Sequence, residues 1–394
     1  MGGLKGKFAG YETDGVIVAA SSPATESAEK VMECQKNGAA AAILKTASKT
    51  RMAASEFAPQ FAAQRRCLVR DGFFWAKSSF NREILTLEQG EALVRGCKDI
   101  GVAIPVAASV TELTLDAAQW LEDCARMEAA GADAIQLDFF YIENMLSEPD
   151  FENRFVALLR DILGNVRIPV MPKLNIALPA GYAARLLKQG GITYVSLLDS
   201  IKTLPPVFFD RQSGMTFDTG LNGGGLSVFG SFMLPVTAQY TETLATAGFE
   251  ICAGGGVTGG GSAANLLLLG ASSVQVATDV LLNGYRRFAA LHEELDRIER
   301  DAVSPHFPGR SGSLSLFHEL GREIFGGNGF LRHASLRADA CNPTSCGQEC
   351  IRQTFCSIVR IKEGKPAFAG CEGCGLCANV CPSGSIEMVT HDCF

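Results

Sequence analysis

The chain has 394 residues, 47% of them hydrophobic and 20% charged, and a formal net charge of −7. That length suits a large core plus an appendage, in an ordinary globular balance, and the negative charge argues against nucleic acid as a partner. The opening residues, MGGLKGKFAGYETDG, lack the apolar core of a secretory signal, and no apolar run reaches the ~20 residues of a membrane span; a cytoplasmic location is expected.

Residues 1–300 alternate short apolar runs with amphipathic stretches. The runs are GVIVAA (15–20), AAILKT (41–46), PVAASV (105–110), AIQLDF (134–139), PVMPKL (169–174), YVSLLD (194–199), EICAGG (250–255) and SVQVAT (273–278). They are rich in Val, Ile, Leu and Ala, as strands buried on both faces must be. Helical patterns lie between most of them: ESAEKVMECQKNG, LDAAQWLEDCARMEAAG, ENRFVALLRDILG, GYAARLLKQGG, TAQYTETLATAG and SAANLLLLGA. Several end in Gly, the usual helix stop. The expected fold class is α/β, a (β/α)8 TIM barrel over 1–300. Residues 301–340 read as a linker with one short helix in HELGREIFGG. His318 and His333 there read as surface residues. Residues 341–394 read as a ferredoxin-like domain.

Polar residues close several of the runs: Lys45, Asp138, Lys173, Asp199 and Asp279. Barrel strand ends converge on one mouth, where active sites form. Capping of the next helix explains Asp199 and Asp279 equally well, but lysine is no N-cap, so Lys45 and Lys173 ask for an anion or a polarised heteroatom. The stretch GGGVTG (254–259) matches G-x-G-x-x-G, with Asp279 placed where a dinucleotide fold holds the ribose. Its position after the seventh strand instead suits the phosphate site formed by the loops after barrel strands 7 and 8.

Fourteen cysteines divide unevenly. Cys34, Cys67, Cys97, Cys124 and Cys252 are scattered, Cys393 is nearly terminal, and eight lie in the tail. The scatter reads as buried single thiols in a reducing compartment. In the tail, CEGCGLCANVCP (371–382) has the spacing C-x2-C-x2-C-x3-C-P, the bacterial ferredoxin run, with the proline expected to start a helix. Zinc prefers two separated C-x2-C pairs. Upstream, CNPTSCGQECIRQTFC (341–356) supplies four more cysteines at gaps of four, three and five. The crossed ligation of two-cluster ferredoxins assigns Cys356, Cys371, Cys374 and Cys377 to one 4Fe–4S cluster and Cys341, Cys346, Cys350 and Cys381 to a second. A single cluster, or a different pairing, is the alternative. SIVRIKEGKPAFAG between the runs reads as a hairpin turning at Gly364.

Together AASSP (19–23), ILKT (43–46), MPKL (171–174), LDSIK (198–202), GGLS…G…P (224–235), AGGGV (253–257) and LLLGASSVQVATDVLLNGY (267–285) carry a resemblance. The chain resembles the dihydroorotate dehydrogenase superfamily, in particular the FMN and iron–sulfur catalytic subunits of bacterial NAD-dependent dihydropyrimidine dehydrogenases. The resemblance implies an FMN barrel in which Lys45 and Thr46 contact the flavin and Ala20 and Ser21 pack near its ring. It implies that Lys173 reaches flavin N1 and O2, that Ser200 and Gly230 line the flavin, and that Gly255, Gly256, Ala277 and Thr278 cradle its phosphate. It also implies two 4Fe–4S clusters.

The departures bear on chemistry. The family's strand-4 loop reads N-x-S-C-P; here it is DFFYI (138–142), so Asp138 stands for the asparagine and Tyr141 for the proton-transferring cysteine. Asp199 replaces a second asparagine, and in LNIA after Lys173 a third is absent or shifted to Asn175. A site built on amide hydrogen bonds would lose about 1–3 kcal/mol per unpaired group, which argues against uracil or orotate. Tyr141 is read as a proton donor or as part of an aromatic wall with Phe139 and Phe140. Asp138 and Asp199 face a cationic or amine substrate, or bond to neighbouring loops. The function implied is oxidoreduction of a C–C bond in a small carbonyl or heterocyclic substrate, with a flavin/NAD subunit or a ferredoxin as electron partner and homo-oligomerisation possible. The alternatives are a non-catalytic flavin and iron–sulfur electron-transfer subunit, or a direct NAD-dependent dehydrogenase using GGGVTG.

Overall fold

The structure, a computed structural model, describes residues 4–49, 67–70, 73–77, 84–203, 226–325, 331–337, 339–342, 346–352, 356, 358–371 and 373–391. Cys393 and the first residues of the GGLS motif lie outside them. The chain divides into two compact units, 1–320 and 321–394.

The first unit is a closed parallel barrel of eight strands: β1 (Ile17–Ala19), β2 (Ala41–Ile43), β3 (Val106–Val110), β4 (Ala134–Asp138), β5 (Val170–Lys173), β6 (Tyr194–Ser196), β7 (Glu250–Gly254) and β8 (Ser273–Val276). Each pairs with the next in chain order, and β8 returns to β1 with Val274 opposite Ile17. Every one of the eight runs named above contributes its strand. Full burial of both faces, complete in β3 and β4, is why these strands read as continuous apolar runs rather than alternating ones.

Helices separate the strands: α1 (Ala28–Lys36), α2 (Leu87–Asp99), α3 (Ala117–Ala130), α4 (Phe151–Asn165), α5 (Ala180–Gly190), α6 (Leu234–Thr246), α7 (Gly260–Leu268) and α8 (Arg287–Ile298). Their ends follow local chemistry. The Ser27 hydroxyl caps α1, Thr86 and Gln89 form a reciprocal capping box on α2, and Asp116 caps α3, each satisfying backbone N–H groups that a helix start leaves open. Six of the eight follow from the quoted helical patterns; α2 and α8 are additions.

The N-terminal end of the barrel is closed by a hairpin, Gly6–Phe8 with Tyr11–Thr13. Phe8 and Ala9 pack among Val18, Ile43, Ala107, Ala134, Met171 and Cys252. The Gly10 N–H donates to Glu250 Oε1 at 2.9 Å and the Tyr11 hydroxyl to the Asp133 carbonyl at 3.0 Å. Insertions in the β2 and β6 loops pair as a four-stranded antiparallel sheet of Ile201–Thr203, Leu226–Gly230, Phe73–Lys77 and Cys67–Arg70.

The segment expected as a linker carries more structure than one helix. Residues 299–306 continue α8 as further helical turns, and Leu314–Glu323 buries Leu316 and Phe317 completely. His318 is half-buried, and its Nε2 lies 3.0 Å from the Ala271 carbonyl of the barrel.

In the second unit, Leu331–Leu336 pairs antiparallel with Ile386–His391. Two short helices, Glu349–Arg352 and Leu376–Val380, lie between them, as does a hairpin of Arg360–Lys362 and Lys365–Ala367 that turns at Glu363 and Gly364. Pro382 does not start a helix. The helix precedes Cys381, and Pro382 opens a turn into the last strand.

Candidate active site and cysteine quartets

At the C-terminal ends of the barrel strands lies a cavity of about 1080 Å³, its open mouth included. Strand ends deliver Ala20 and Ser21 from β1, Lys45 and Thr46 from β2, Asp138 and Tyr141 from β4, Lys173 from β5 and Asp199 and Ser200 from β6. The loops after β7 and β8 add Gly255 and Gly256, and Ala277 and Thr278. Gly230 does not line the cavity; its neighbours Phe229 and Met233 do. Thr111 and Gln275 line it too, and neither was singled out in the sequence, since an uncharged polar residue in an apolar run carries no signal of its own. Phe140 lines it and stands edge-on to Tyr141 at 5.2 Å between ring centroids. Phe139 is fully buried and faces the core, against Trp120 and Phe155.

The floor of the cavity is ionic. Lys173 Nζ stands 3.4 Å from Asp199 Oδ2 and 3.9 Å from Asp138 Oδ2. Asp138 Oδ2 also accepts from the Thr46 hydroxyl at 3.1 Å, while Asp138 Oδ1 is buried with no hydrogen-bond partner among the described residues. Burial pushes the Asp138 carboxyl up to about 6; Lys173 pulls it down, the Asp199 carboxyl raises it again through its charge and through a hydrogen bond between the two side chains, and Thr46 favours the charged form. Asp199 Oδ1 accepts from the Ser200 N–H at 2.6 Å and hydroxyl at 3.3 Å, so it bonds to its own loop and caps no helix.

Asn175 does not take the place of the missing asparagine. It turns into its loop, its Oδ1 accepting from the Ala177 N–H at 2.7 Å and its Nδ2 donating to the Phe140 carbonyl at 3.5 Å. Asp279 is likewise committed: it accepts from Arg287 Nε and Asn283 Nδ2, both at 2.7 Å, and does not line the cavity. With that carboxylate engaged and the sheet closed into a barrel, GGGVTG is not a dinucleotide fingerprint. The turn instead packs tightly. Gly256 has φ +92, and a Cβ there would meet the Leu234 backbone N at 2.4 Å; at Gly255, with φ +107, it would meet Thr237 Oγ1 at 2.7 Å. Backbone alone therefore forms this wall of the cavity.

In the second unit Cys350, Cys356, Cys371, Cys377 and Cys381 share one small core with Ala334, Val359 and Ile386. Burial raises the Cys350 thiol, and Cys346, Cys381 and Cys341 raise it further. Burial also raises Cys377; the Ala378 backbone lowers it, and Cys371, Cys356 and Cys374 raise it again. Among the described residues no three His, Cys, Asp or Glu side chains converge on a single-ion position. Donors surround two of the sulfurs. Cys371 Sγ accepts from the Ala334 N–H at 3.3 Å and the Gly373 N–H at 3.4 Å. Cys381 Sγ lies 3.3 Å from Ser385 Oγ and 3.5 Å from Ser383 Oγ. Burial opposes ionisation of Cys381, but these hydroxyls and the Ser385 and Ile386 backbone outweigh it and bring the thiol down to about 7.

No helix among the described residues is long and apolar enough to cross a membrane. No protein-family model matches the chain. The NAD-dependent dihydropyrimidine dehydrogenase subunit PreA of Escherichia coli, from two strains, is 24% identical over 415 aligned positions, which cover 97% of this chain and 94% of that protein. A local likeness, 34% identity over 82 residues, is to an uncharacterized ABC transporter ATP-binding protein of Methanocaldococcus jannaschii; it spans 18% of this chain and 13% of that protein's length. The family resemblance carried by the motifs thus extends along nearly the whole chain, and the closed parallel barrel is the fold it implies.

Proposed function

We propose that the chain is an FMN- and 4Fe–4S-dependent oxidoreductase that reduces or oxidises a C–C bond of a small carbonyl or heterocyclic substrate. The observation that carries this reading is one cavity that gathers Lys45, Lys173 and the side-chain-free turn at Gly255 and Gly256 at the barrel mouth. These residues fit FMN. The lysines suit the electron-rich edge of a reduced flavin, and the turn with Ala277 and Thr278 suits its phosphate. The cysteine quartets fit two cubane clusters, ligated crosswise as Cys356, Cys371, Cys374, Cys377 and Cys341, Cys346, Cys350, Cys381. When bound, FMN supplies hydride transfer and the clusters supply single-electron transfer.

The chain's own residues do the rest. Lys173 and Lys45 hold negative charge at the mouth. Phe140, Tyr141 and Phe229 wall the cavity against water. Tyr141 gives or takes the substrate proton, the role of the family's cysteine, and Tyr141→Phe is expected to lower turnover by about 10²-fold or more. The likeness to a dehydrogenase subunit supports an electron partner, a flavin/NAD protein or a ferredoxin. A second reading is an electron-transfer subunit without substrate chemistry, favoured by the replacement of the cysteine by Tyr141.

Flavin, iron and acid-labile sulfide per chain, measured on anaerobically purified protein, test this function. One FMN with about eight iron and eight sulfide is expected. About four iron would leave one quartet without a cluster, and no flavin would sink the FMN reading of the barrel mouth. Photoreduction followed by substrate screening separates enzyme from electron carrier.

A further inference from the structure

Beneath the cavity a row of hydrogen bonds runs in one direction. Gln275 Nε2 lies 2.5 Å from the Leu197 carbonyl, which only accepts, so the orientation of this amide is fixed. It also donates to Ser196 Oγ at 2.8 Å, Ser196 donates to Gln136 Oε1 at 2.8 Å, and Gln136 Nε2 donates to Ser109 Oγ at 2.9 Å. Thr46 has one proton and gives it to Asp138 Oδ2, so Ser109, 2.9 Å away, donates to Thr46. The row therefore ends on Asp138 Oδ2 and spends its last donor there.

Asp199 is served on one side as well, its Oδ1 accepting from the Ser200 N–H and hydroxyl. Asp138 Oδ1 and Asp199 Oδ2 are the two buried oxygens that these donors do not reach. The two carboxyls are instead hydrogen-bonded to each other. An ionised carboxylate only accepts, so a bond between two of them needs a proton. Lys173 Nζ, 3.4 Å from Asp199 Oδ2 and 3.9 Å from Asp138 Oδ2, offsets only one of the two negative charges. Like charges buried this close favour a proton on one of them.

We propose that Asp138 and Asp199 act as one acid, holding a single proton between Asp138 Oδ1 and Asp199 Oδ2, and that this proton sets the charge of the cavity floor. Solvent supplies the proton, which binds one carboxyl and is accepted by the other. While it is held, the pair and Lys173 together are neutral; once it is lost, they carry one negative charge. Both aspartates are then positioning residues that act on a bound group through Lys173. The other charged or titratable groups around them are Lys45 after β2 and Tyr141 after β4, and Thr46 adds its hydroxyl.

Carbon-13 NMR of the native full chain, labelled at its aspartate carboxyls, tests this without any variant. The two resonances should move together in one step near pH 6. Separate steps, one per carboxyl, overturn the proposal. Melting supplies the second readout. The folded state holds the Asp138 proton more tightly than the unfolded one, whose carboxyl titrates near 3.8, so this group's stabilisation is lost as pH rises from about 4 to about 6. Asp138→Asn and Asp199→Asn should each remove that loss, because the new amide N–H replaces the shared proton. A loss that survives Asp199→Asn would mean that Asp138 titrates alone, by burial, and overturns the proposal. The inference rests on the FMN reading only for a third readout. The flavin potential should fall with pH above about 6 by up to about 30 mV per pH unit more steeply in the native chain than in Asp138→Asn, and equal slopes overturn the role given to Lys173. Flavin-free protein would remove the cofactor reading and leave the NMR and melting results to decide this one.

Discussion

The barrel mouth and the cysteine unit both gather reactive groups, by opposite means. At the mouth Lys45, Asp138, Lys173 and Asp199 are far apart in sequence and meet because each ends a strand of one closed ring. In the second unit eight cysteines lie between residues 341 and 381, and Cys350, Cys356, Cys371, Cys377 and Cys381 come together through short turns, such as the one at Gly375 (φ +80) that starts the helix carrying Cys377. The electrostatics are opposed as well. Burial makes Asp138 hard to ionise, whereas hydroxyl and backbone donors make Cys381 easy to ionise. A site assembled by global topology tolerates costly charge because the ring pins it; a site assembled by local turns needs its charge solvated by nearby donors.

The largest expected effect lies on the local side. Cys377→Ser removes a buried member of one quartet, and iron content should fall to about half while flavin is unchanged. An equal loss of flavin would tie together the two sites contrasted above. Lys173→Ala is next. It leaves Asp138 and Asp199 buried without their cation, which costs about 3–5 kcal/mol when both are charged. Melting should show the larger drop at pH 8 and a smaller one at pH 5, where carboxyl protonation relieves the repulsion.

Gly256→Ala asks whether the ring's wall yields. A Cβ 2.4 Å from the Leu234 backbone N, at positive φ, should cost about 1–3 kcal/mol and weaken flavin retention. Asp123→Asn probes buried charge away from the mouth. Burial, then the adjacent Glu112, pushes the Asp123 carboxyl up to about 8. The folded state thus holds the proton more tightly than the unfolded one, whose carboxyl titrates near 3.8, and stability falls as pH rises from about 4 to about 8. The amide should remove that fall, raising the melting temperature at pH 9 and leaving it little changed at pH 4. The smallest effect is expected of Ser385→Ala, which removes one donor to Cys381 Sγ. Redox titration should show a more negative cluster potential by on the order of tens of millivolts.

What was legible follows the same division. The eight barrel strands were readable because burial on both faces leaves an unbroken apolar run. The antiparallel sheet of Phe73–Lys77 and Leu226–Gly230 was not, since its partners sit in two insertions and no local pattern joins them. Gln275, Ser196 and Gln136 read as ordinary strand residues; only the closed ring brings their amides and hydroxyls into one row. Asn175 and Asp279 carried plausible roles by position, and the side-chain bonds that commit them elsewhere lie in three dimensions alone.

The same ring sets a timetable for biosynthesis. Ile17 waits for Val274, about 260 residues later in the chain, and at roughly 5–20 residues per second the ribosome needs on the order of 10–50 s to deliver it. Until then β1 and its neighbours present open strand edges to other nascent chains. The Gly6–Phe8 hairpin and the apolar residues it covers also wait, because Cys252 and Met171, against which Phe8 rests, are not yet made. Slower translation, or shortage of a chaperone that shields such edges, should therefore lower the yield of folded protein before any cofactor is inserted.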